Sequence, residues 1–188
     1  MREQCMITPY YQEVFFTPAE CRDIIATAER KQFQEARLVK GHFDEDIRIV
    51  HTAWLDDEEE TAWIFRRLFD LVLKTNRQHF QFHLDAFAER IQIARYDACL
   101  GSHFDWHADW GTGNFASKRK LTLIVQLSDP ASYQGGLLCY NVAGVEETAS
   151  TTMGSVILFP SFVLHKVSQM TSGLRYSLTT WIHGPAFT

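Results

Sequence analysis

A change in the spacing of apolar residues divides this sequence near Ile91. Before it, apolar residues recur every three to four positions, as on one face of an α-helix. After it, they alternate with polar residues at a period of two, as in a half-buried β-strand. Seven short strands are predicted there, separated by glycine and proline, at 91–97, 103–109, 119–128, 137–142, 155–159, 163–167 and 174–183. Short strands without intervening helices are typical of a β-sandwich or β-barrel.

The N-terminal half is predicted to hold two amphipathic helices and short strands at 38–39 and 47–55. Thr17-Pro-Ala-Glu20 matches a capping box with proline at the first helical position, so a helix is expected over about 18–31. A second helix is expected over about 58–79. We expect it to be capped by Asp56 and Asp57, with a buried stripe of Phe65, Leu68, Phe69 and Val72.

Length and composition predict one globular domain over 1–188, because 188 residues that are 46 % hydrophobic suit a single core. Its helical buttress would cover about 1–90 and its β core about 91–185. The net charge of −5, without a basic block, argues against nucleic acid as a partner. No apolar run approaches the roughly 20 residues of a membrane span.

The cysteines and the N-terminus indicate a cytoplasmic protein. The four cysteines are widely spaced without a Cys-x-x-Cys motif, which favours reduced thiols over a disulfide framework. The first residues lack the apolar core of a secretion signal. Neither feature determines the oligomeric state.

The segment 101–110 carries histidine and aspartate at every second position: His103, Asp105, His107 and Asp109. In a regular strand these side chains would share one face. Residues two apart are separated by roughly 7 Å and residues four apart by roughly 13 Å, whereas metal–ligand bonds are about 2 Å long. Two pairs therefore compete as metal ligands, His103 with Asp105 and His107 with Asp109, and a third ligand must come from elsewhere.

Two later strands carry polar groups suited to binding a metal and an anion. His165 lies in an otherwise apolar strand, and Arg175 and Ser177 share one face of the last strand with Thr179 and Trp181. A guanidinium beside a hydroxyl suits a carboxylate, because an unpaired buried guanidinium is too costly. The alternative is an ion pair with a carboxylate of the protein itself. In the first predicted strands, Arg48 and His51 are candidates to face a substrate.

Together these motifs resemble the 2-oxoglutarate/Fe(II) dioxygenases of the prolyl 4-hydroxylase-like group. The resemblance rests on Tyr96, Gly101, Phe104, His107-Ala-Asp109, Gly135-Gly136, the 154–160 strand, His165, Arg175-Tyr-Ser177 and Trp181. Within that group, 119–130 and 181–185 resemble the bacterial PKHD-type hydroxylases in particular. The resemblance implies an α+β, mainly β fold. That fold is a double-stranded β-helix, or jelly-roll, with the N-terminal helices on the outer face of one sheet.

The resemblance also implies a role for each candidate site residue. Its pattern has a glycine and then an aromatic residue three positions before the first metal-binding histidine. Gly101 and Phe104 meet that pattern only if His107 is the ligand. The resemblance therefore implies His107, Asp109 and His165 as the metal ligands. It implies Arg175 as the anchor of the 2-oxoglutarate distal carboxylate, assisted by Ser177, and places Tyr96 and Gln126 against this co-substrate.

The implied activity is hydroxylation of an unactivated C–H bond with Fe(II), 2-oxoglutarate and O₂, ascorbate being supportive. Succinate and CO₂ would be released. The substrate would be peptidyl, a free amino acid or a small metabolite, selected by the loops at 40–46 and 110–118. Dehydrogenation or cyclisation by the same centre remains an alternative. So do a non-catalytic sensor of metal and 2-oxoglutarate and a zinc or cupin-type protein.

Overall fold

The computed structural model describes residues 7–36 and 47–187. Within these residues the chain forms two facing antiparallel β-sheets and two α-helices, α1 (Pro18–Glu29) and α2 (Ala62–Thr75). The strands are β1 (Tyr10–Gln12), β2 (Gln34–Glu35), β3 (Arg48–Ile49), β4 (His51–Leu55), β5 (Ile91–Asp97), β6 (His103–His107), β7 (Arg119–Gln126), β8 (Tyr133–Gly135), β9 (Leu138–Val142), β10 (Val145–Thr148), β11 (Val156–Pro160), β12 (Leu164–Val167) and β13 (Met170–His183).

All seven strands predicted beyond Ile91 are present, and the expected jelly-roll class is confirmed. The larger sheet has the order β1-β11-β7-β13-β5-β4-β2, with β8 also paired to β13, and the smaller sheet has the order β10-β9-β12-β6-β3. Four strands were not predicted, β1, β2, β8 and β10, because two to four residues are too few to show a period. The strand expected at 38–39 and the loop at 40–46 lie outside the described residues.

The predicted strand 47–55 is two strands that belong to different sheets. Arg48 pairs with Phe104 in the smaller sheet, whereas His51 pairs with Arg95 in the larger one. The chain crosses between the sheets at Val50, which is buried. This crossing places Arg48 on the smaller sheet, beside β6, which carries the histidines.

Alternation along the strands of the larger sheet separates two cores. Ile93 of β5 and Leu123 of β7 face the helices, where they join Ile24 of α1 and Leu68 of α2 in one apolar cluster. Tyr96 of β5 lies in a second cluster that includes residues of the smaller sheet. Burying each of these aliphatic side chains stabilises the folded state by about 1.5–3 kcal/mol relative to leaving it exposed. The helices therefore support the sheet from outside, and its inner face is left for the site.

Helix α1 begins as its capping box predicts. The Thr17 backbone N–H donates to the Glu20 carboxylate at 2.7 Å, and the Glu20 backbone N–H donates to the Thr17 hydroxyl at 3.3 Å. These bonds occupy backbone donors that the first turn of a helix leaves without partners.

Thr17→Ala is expected to lower the free energy of unfolding by about 1 kcal/mol, because alanine cannot accept the bond from Glu20. Thr17→Ser keeps the hydroxyl and is the matched control. Urea denaturation of the three proteins measures the effect. Equal losses in both variants would show that the cap contributes little.

Helix α2 differs from its prediction at both ends and in its stripe. Asp56 and Asp57 do not cap it. They precede a turn closed by the buried Thr61, whose hydroxyl accepts from the Glu58 backbone N–H at 3.0 Å, and the helix starts only at Ala62. After Thr75 the chain continues as a π-helical turn, Asn76–Phe80.

The buried face of α2 consists of Ile64, Leu68, Leu71, Val72 and Thr75. The predicted stripe is therefore only half right, because Phe69 is 46 % exposed and packs on Phe87, with 5.8 Å between ring centroids. Among the described helices, none is both long and apolar enough to cross a membrane.

Candidate active site

A cavity of about 520 Å³ opens between the two sheets. Inward-facing side chains of β5, β6 and β13 line it, together with the loop that follows β6. Arg175, Ser177, Thr179 and Trp181 all reach it, as expected for residues on one face of the last strand. From the loop at 110–118, Trp110, Gly111, Thr112 and Ala116 contribute to the wall.

A β-bulge in β6 decides which of the four alternating polar residues enter the cavity. On β12, His165 pairs with His107 and Val167 with Phe104, so three residue steps on β6 oppose two on β12. The extra residue switches the side-chain alternation. Phe104, His107 and Asp109 line the cavity. The expectation that all four polar residues share one face is therefore wrong.

The pair His103 and Asp105 takes no part in the cavity. The Asp105 side chain is exposed and accepts a bond from the Trp106 backbone N–H at 2.7 Å. His103 Nδ1 lies 3.1 Å from the Gly101 carbonyl. Of the two competing pairs, only His107 and Asp109 come close to the distal histidine.

His107, Asp109 and His165 converge on one point, with one ligand atom from each within 4.8 Å of the others. His165 Nε2 lies 3.4 Å from Asp109 Oδ2, and His107 Nε2 lies 3.8 Å from Asp109 Oδ1. Ligands bound to one ion through bonds of about 2.0–2.2 Å lie roughly 3–4 Å apart. The cluster therefore has the dimensions of a three-ligand metal site.

Backbone carbonyls fix both histidines in the tautomer that a metal needs. His107 Nδ1 lies 2.8 Å from the Asp105 carbonyl oxygen, and His165 Nδ1 lies 3.0 Å from that of Val163. A carbonyl can only accept, so each Nδ1 carries a proton, and each Nε2 is left as the atom that can present a lone pair to a metal. Burial and the adjacent His165 ring lower the pKa of His107 to about 3, so this imidazole is neutral at neutral pH.

Two buried hydroxyls orient the Asp109 carboxylate. Thr122 Oγ1 lies 2.8 Å from Asp109 Oδ2 and 3.0 Å from Ser161 Oγ. Burial alone would raise the pKa of the Asp109 carboxyl, but the positive charge that the His165 and His107 rings carry when protonated, and the charge of Arg119, lower it to about 2. The ionised carboxylate only accepts, so Thr122 donates to it and Ser161 donates to Thr122. Neither hydroxyl was predicted from the sequence, although a threonine within the apolar strand β7 was a usable signal.

Arg175 occupies a second part of the cavity and is 1 % exposed. Its Nε and Nη2 donate to Gln126 Oε1 at 3.1 and 2.7 Å, whereas its buried Nη1 has no partner. Tyr96 lies beside it, 5.2 Å from the guanidinium carbon to the ring centroid, and burial raises the pKa of this tyrosine. Its hydroxyl therefore stays protonated and is available as a donor.

Gln126 holds the guanidinium and does not line the cavity. Of the described carboxylates, none forms an ion pair with Arg175, so the alternative of an internal ion pair finds no support. Gly136, at φ +59°, lies close against the arginine. A Cβ added at Gly136 would come within 3.1 Å of Arg175 Cδ. Arg175 is thus held firmly and presents a free N–H to the cavity.

A third group of charged side chains, which was also not predicted from the sequence, lies beside Asp109. Arg119 donates through Nε to Glu89 at 2.6 Å, and His183 Nε2 lies 2.8 Å from the same carboxylate. Burial by itself would raise the pKa of Glu89, but Arg119 and His183 lower it overall. Arg119 also lies 3.9 Å from the Trp181 ring and donates to the Asp109 carbonyl at 3.3 Å.

The cavity fits a divalent iron ion and a dicarboxylate. Two imidazoles and one carboxylate match the donor set of the facial triad of non-haem Fe(II) oxygenases, which leaves positions open for other ligands. The orphaned N–H of Arg175 requires an anion, because an unsatisfied buried guanidinium is strongly unfavourable. Both groups open into the same cavity.

Comparison with known proteins points the same way. Residues 91–183 match the model of the 2OG-Fe(II) oxygenase superfamily. A PKHD-type hydroxylase of Thermosynechococcus vestitus is 31 % identical over 171 residues, which cover 88 % of this chain and 74 % of that protein. A PKHD-type hydroxylase of Psychrobacter sp. is 26 % identical over 84 % of this chain but only 61 % of its own length. The matched part of the Synechococcus elongatus relative is 56 % of that protein.

Solved structures share the fold. A prolyl-4-hydroxylase of Pseudomonas putida superimposes with a TM-score of 0.75 at 24 % identity, covering 95 % of this chain and 93 % of that one. A prolyl hydroxylase of Trichoplax adhaerens, in complex with a peptide of the hypoxia-inducible factor, has a TM-score of 0.79 at 17 % identity, with coverages of 94 % and 84 %. Through its Thermosynechococcus relative the chain belongs to the family of PKHD-type hydroxylases, with residues 91–183 matching the 2OG-Fe(II) oxygenase superfamily, and its fold is that of the prolyl hydroxylases.

Proposed function

We propose that this chain is an Fe(II)- and 2-oxoglutarate-dependent oxygenase that hydroxylates an unactivated C–H bond. One observation carries the proposal: the His107, Asp109 and His165 cluster shares a cavity with the unpartnered N–H of Arg175. When bound, Fe(II) and 2-oxoglutarate would supply the redox chemistry that consumes O₂ and releases succinate and CO₂.

In this proposal each side chain has a defined task. His107, Asp109 and His165 hold the metal through Nε2 and carboxylate oxygens. Arg175 and Ser177 bind the distal carboxylate of 2-oxoglutarate. The remaining two residues assist, Tyr96 as a hydrogen-bond donor to the co-substrate and Gln126 by holding the Arg175 guanidinium in place. Apolar side chains such as Trp181, Ile124 and Leu138 form part of the cavity wall and would reduce the amount of water beside the metal.

The proposed substrate is a peptidyl side chain, a free amino acid or a small metabolite. A peptide complex of the Trichoplax prolyl hydroxylase supports the peptide class, and the loop at 110–118 is well placed to select among them because it forms part of the cavity wall. We further propose one domain over the whole chain, a cytoplasmic location and support by ascorbate. The free thiols of Cys21, Cys99 and Cys139 are consistent with a reducing compartment.

Conversion of 2-oxoglutarate to succinate tests this proposal. Purified protein is incubated with Fe(II), ascorbate, O₂ and candidate substrates, and succinate is followed by NMR while mass spectrometry searches for products that gain one oxygen atom. Succinate that depends on Fe(II) and is lost with a chelator supports an oxygenase. Metal-dependent binding of 2-oxoglutarate without any succinate would instead identify a sensor.

Thr122→Val is expected to weaken Fe(II) binding by about 10–100-fold, because the Asp109 carboxylate loses the donor that orients it. Thr122→Ser keeps a hydroxyl at the same place and should bind nearly as tightly as the wild type. Anaerobic competition titration with a chromogenic chelator measures both affinities. If valine and serine bind Fe(II) equally well, the hydroxyl does not act on the metal site.

A further inference from the structure

Arg48 is a cation in the cavity that the proposed chemistry does not use. It lies on β3 and lines the cavity. Its guanidinium carbon is 4.4 Å from the Phe104 ring centroid, and that ring stacks on His107 with 3.5 Å between centroids. The guanidinium therefore lies no more than about 8 Å from the His107 ring.

Within the described parts of the chain, Arg48 has no carboxylate partner. Its Nη2 donates a long hydrogen bond, at 3.4 Å, to the neutral Oε1 of Gln92. Its Nε is buried without a hydrogen-bond partner. Arg48 is partly buried. A guanidinium remains charged in proteins, and even partial burial without an anion is unfavourable. This position therefore calls for an anion that the described residues do not supply.

Each of the other charged side chains that line the cavity already has a partner or a proposed ligand. Arg119 is paired with Glu89, and Asp109 belongs to the metal cluster. In the proposed function, a divalent metal and dianionic 2-oxoglutarate offset each other, and the charge of Arg175 offsets that of Asp109. Among the described residues that line the cavity, the positive charge of Arg48 then remains, and a ligand with a single negative charge would neutralise it.

We infer that Arg48 binds a carboxylate of the substrate, so that the enzyme acts on a carboxylic acid close to its carboxylate. The inference rests on the proposed function, because it assumes that the metal and 2-oxoglutarate occupy the rest of the cavity. A planar carboxylate matches the paired N–H groups of arginine. The short distance to His107 places the carbons next to that carboxylate beside the metal cluster. Free amino acids and the C-terminus of a peptide both present such a group.

Matched acids and amides test the inference. Protein loaded with Mn(II) and 2-oxoglutarate is titrated calorimetrically with free L-amino acids, each paired with its primary amide. A second set contains short peptides with free or amidated C-termini. At least one acid should bind about 30-fold or more tightly than its amide, as expected for a charge-assisted contact in a poorly solvated site. The set that shows the preference identifies the source of the carboxylate.

Three variants identify the residue responsible. Arg48→Gln should reduce the preference for acid over amide to near unity while the affinity for 2-oxoglutarate stays unchanged, and Arg48→Lys should retain part of it. Arg95→Gln is the matched control, because Arg95 also stacks on a phenylalanine, Phe33, at 4.7 Å but does not line the cavity. It should keep the full preference.

Three results would overturn the inference: equal binding of acids and amides by the wild type, an unchanged preference in Arg48→Gln, or no binding of any carboxylate probe. In each of them the wild type still binds Mn(II) and 2-oxoglutarate. Failure of the proposed function gives a different result, because the wild type would then form no succinate with Fe(II), whether or not it binds 2-oxoglutarate.

Discussion

Replacing His107, Asp109 or His165 by alanine is expected to abolish Fe(II)-dependent succinate formation. Each substitution removes one of the three protein ligands that converge within 4.8 Å. Fe(II) binding should weaken by more than about 100-fold, which exceeds the loss typical of removing only a hydrogen-bonding partner of a ligand. Fe(II) affinity is measured by anaerobic competition titration and turnover by succinate NMR. Circular dichroism checks that the fold is retained.

His103→Ala is the matched control for the triad. His103 lies on the same strand as His107, but the bulge in β6 turns it away from the cavity. The variant should keep Fe(II) affinity and succinate formation close to those of the wild type. Loss of iron binding in His103→Ala, together with its retention in His107→Ala, would move the metal site to the other His-x-Asp pair.

Arg175→Ala is expected to raise the concentration of 2-oxoglutarate needed for half-saturation by about two orders of magnitude or more. The variant loses a charge-assisted contact in a buried site, which costs about 2–5 kcal/mol, and each 1.4 kcal/mol is tenfold in affinity. Anaerobic calorimetric titration of 2-oxoglutarate measures the difference.

Metal binding separates the anchoring role of Arg175 from a structural one. Fe(II) affinity should change little in Arg175→Ala, because the guanidinium is not a ligand in the proposed site. Arg175→Lys keeps a charge but lacks the paired donors, so its affinity for 2-oxoglutarate should be intermediate. Equal affinities in wild type and Arg175→Ala would mean that the arginine has only a structural role.

Local pattern predicted those parts of the fold that depend on neighbouring residues. The Thr17 capping box and the shared face of Arg175 and Ser177 both follow from fixed spacings along one element, and both are present. The seven predicted strands beyond Ile91 follow from alternation between glycines and prolines. Element ends were less predictable, as α2 shows, because a turn closed by Thr61 competes with the helix start.

The arrangement of the site depended on contacts between distant strands. The bulge in β6 arises from its pairing with β12, some 60 residues later in the sequence, and nothing in the alternation of His103, Asp105, His107 and Asp109 marks it. The stacking of Arg48 on Phe104 likewise requires the chain to cross between sheets at Val50. The resemblance to known dioxygenases supplied the choice of His107 that local spacing left open.

Succinate formed under ¹⁸O₂ tests most directly the claim that this cavity carries out 2-oxoglutarate-dependent oxygenation. Oxidative decarboxylation transfers one atom of O₂ to succinate and leaves the other for the substrate, whereas loss of CO₂ without oxidation would give succinic semialdehyde and no label. The wild type with Fe(II) should give succinate that carries one ¹⁸O atom, and His165→Ala should give none. Unlabelled succinate, or labelled succinate formed equally well by His165→Ala, would contradict the account.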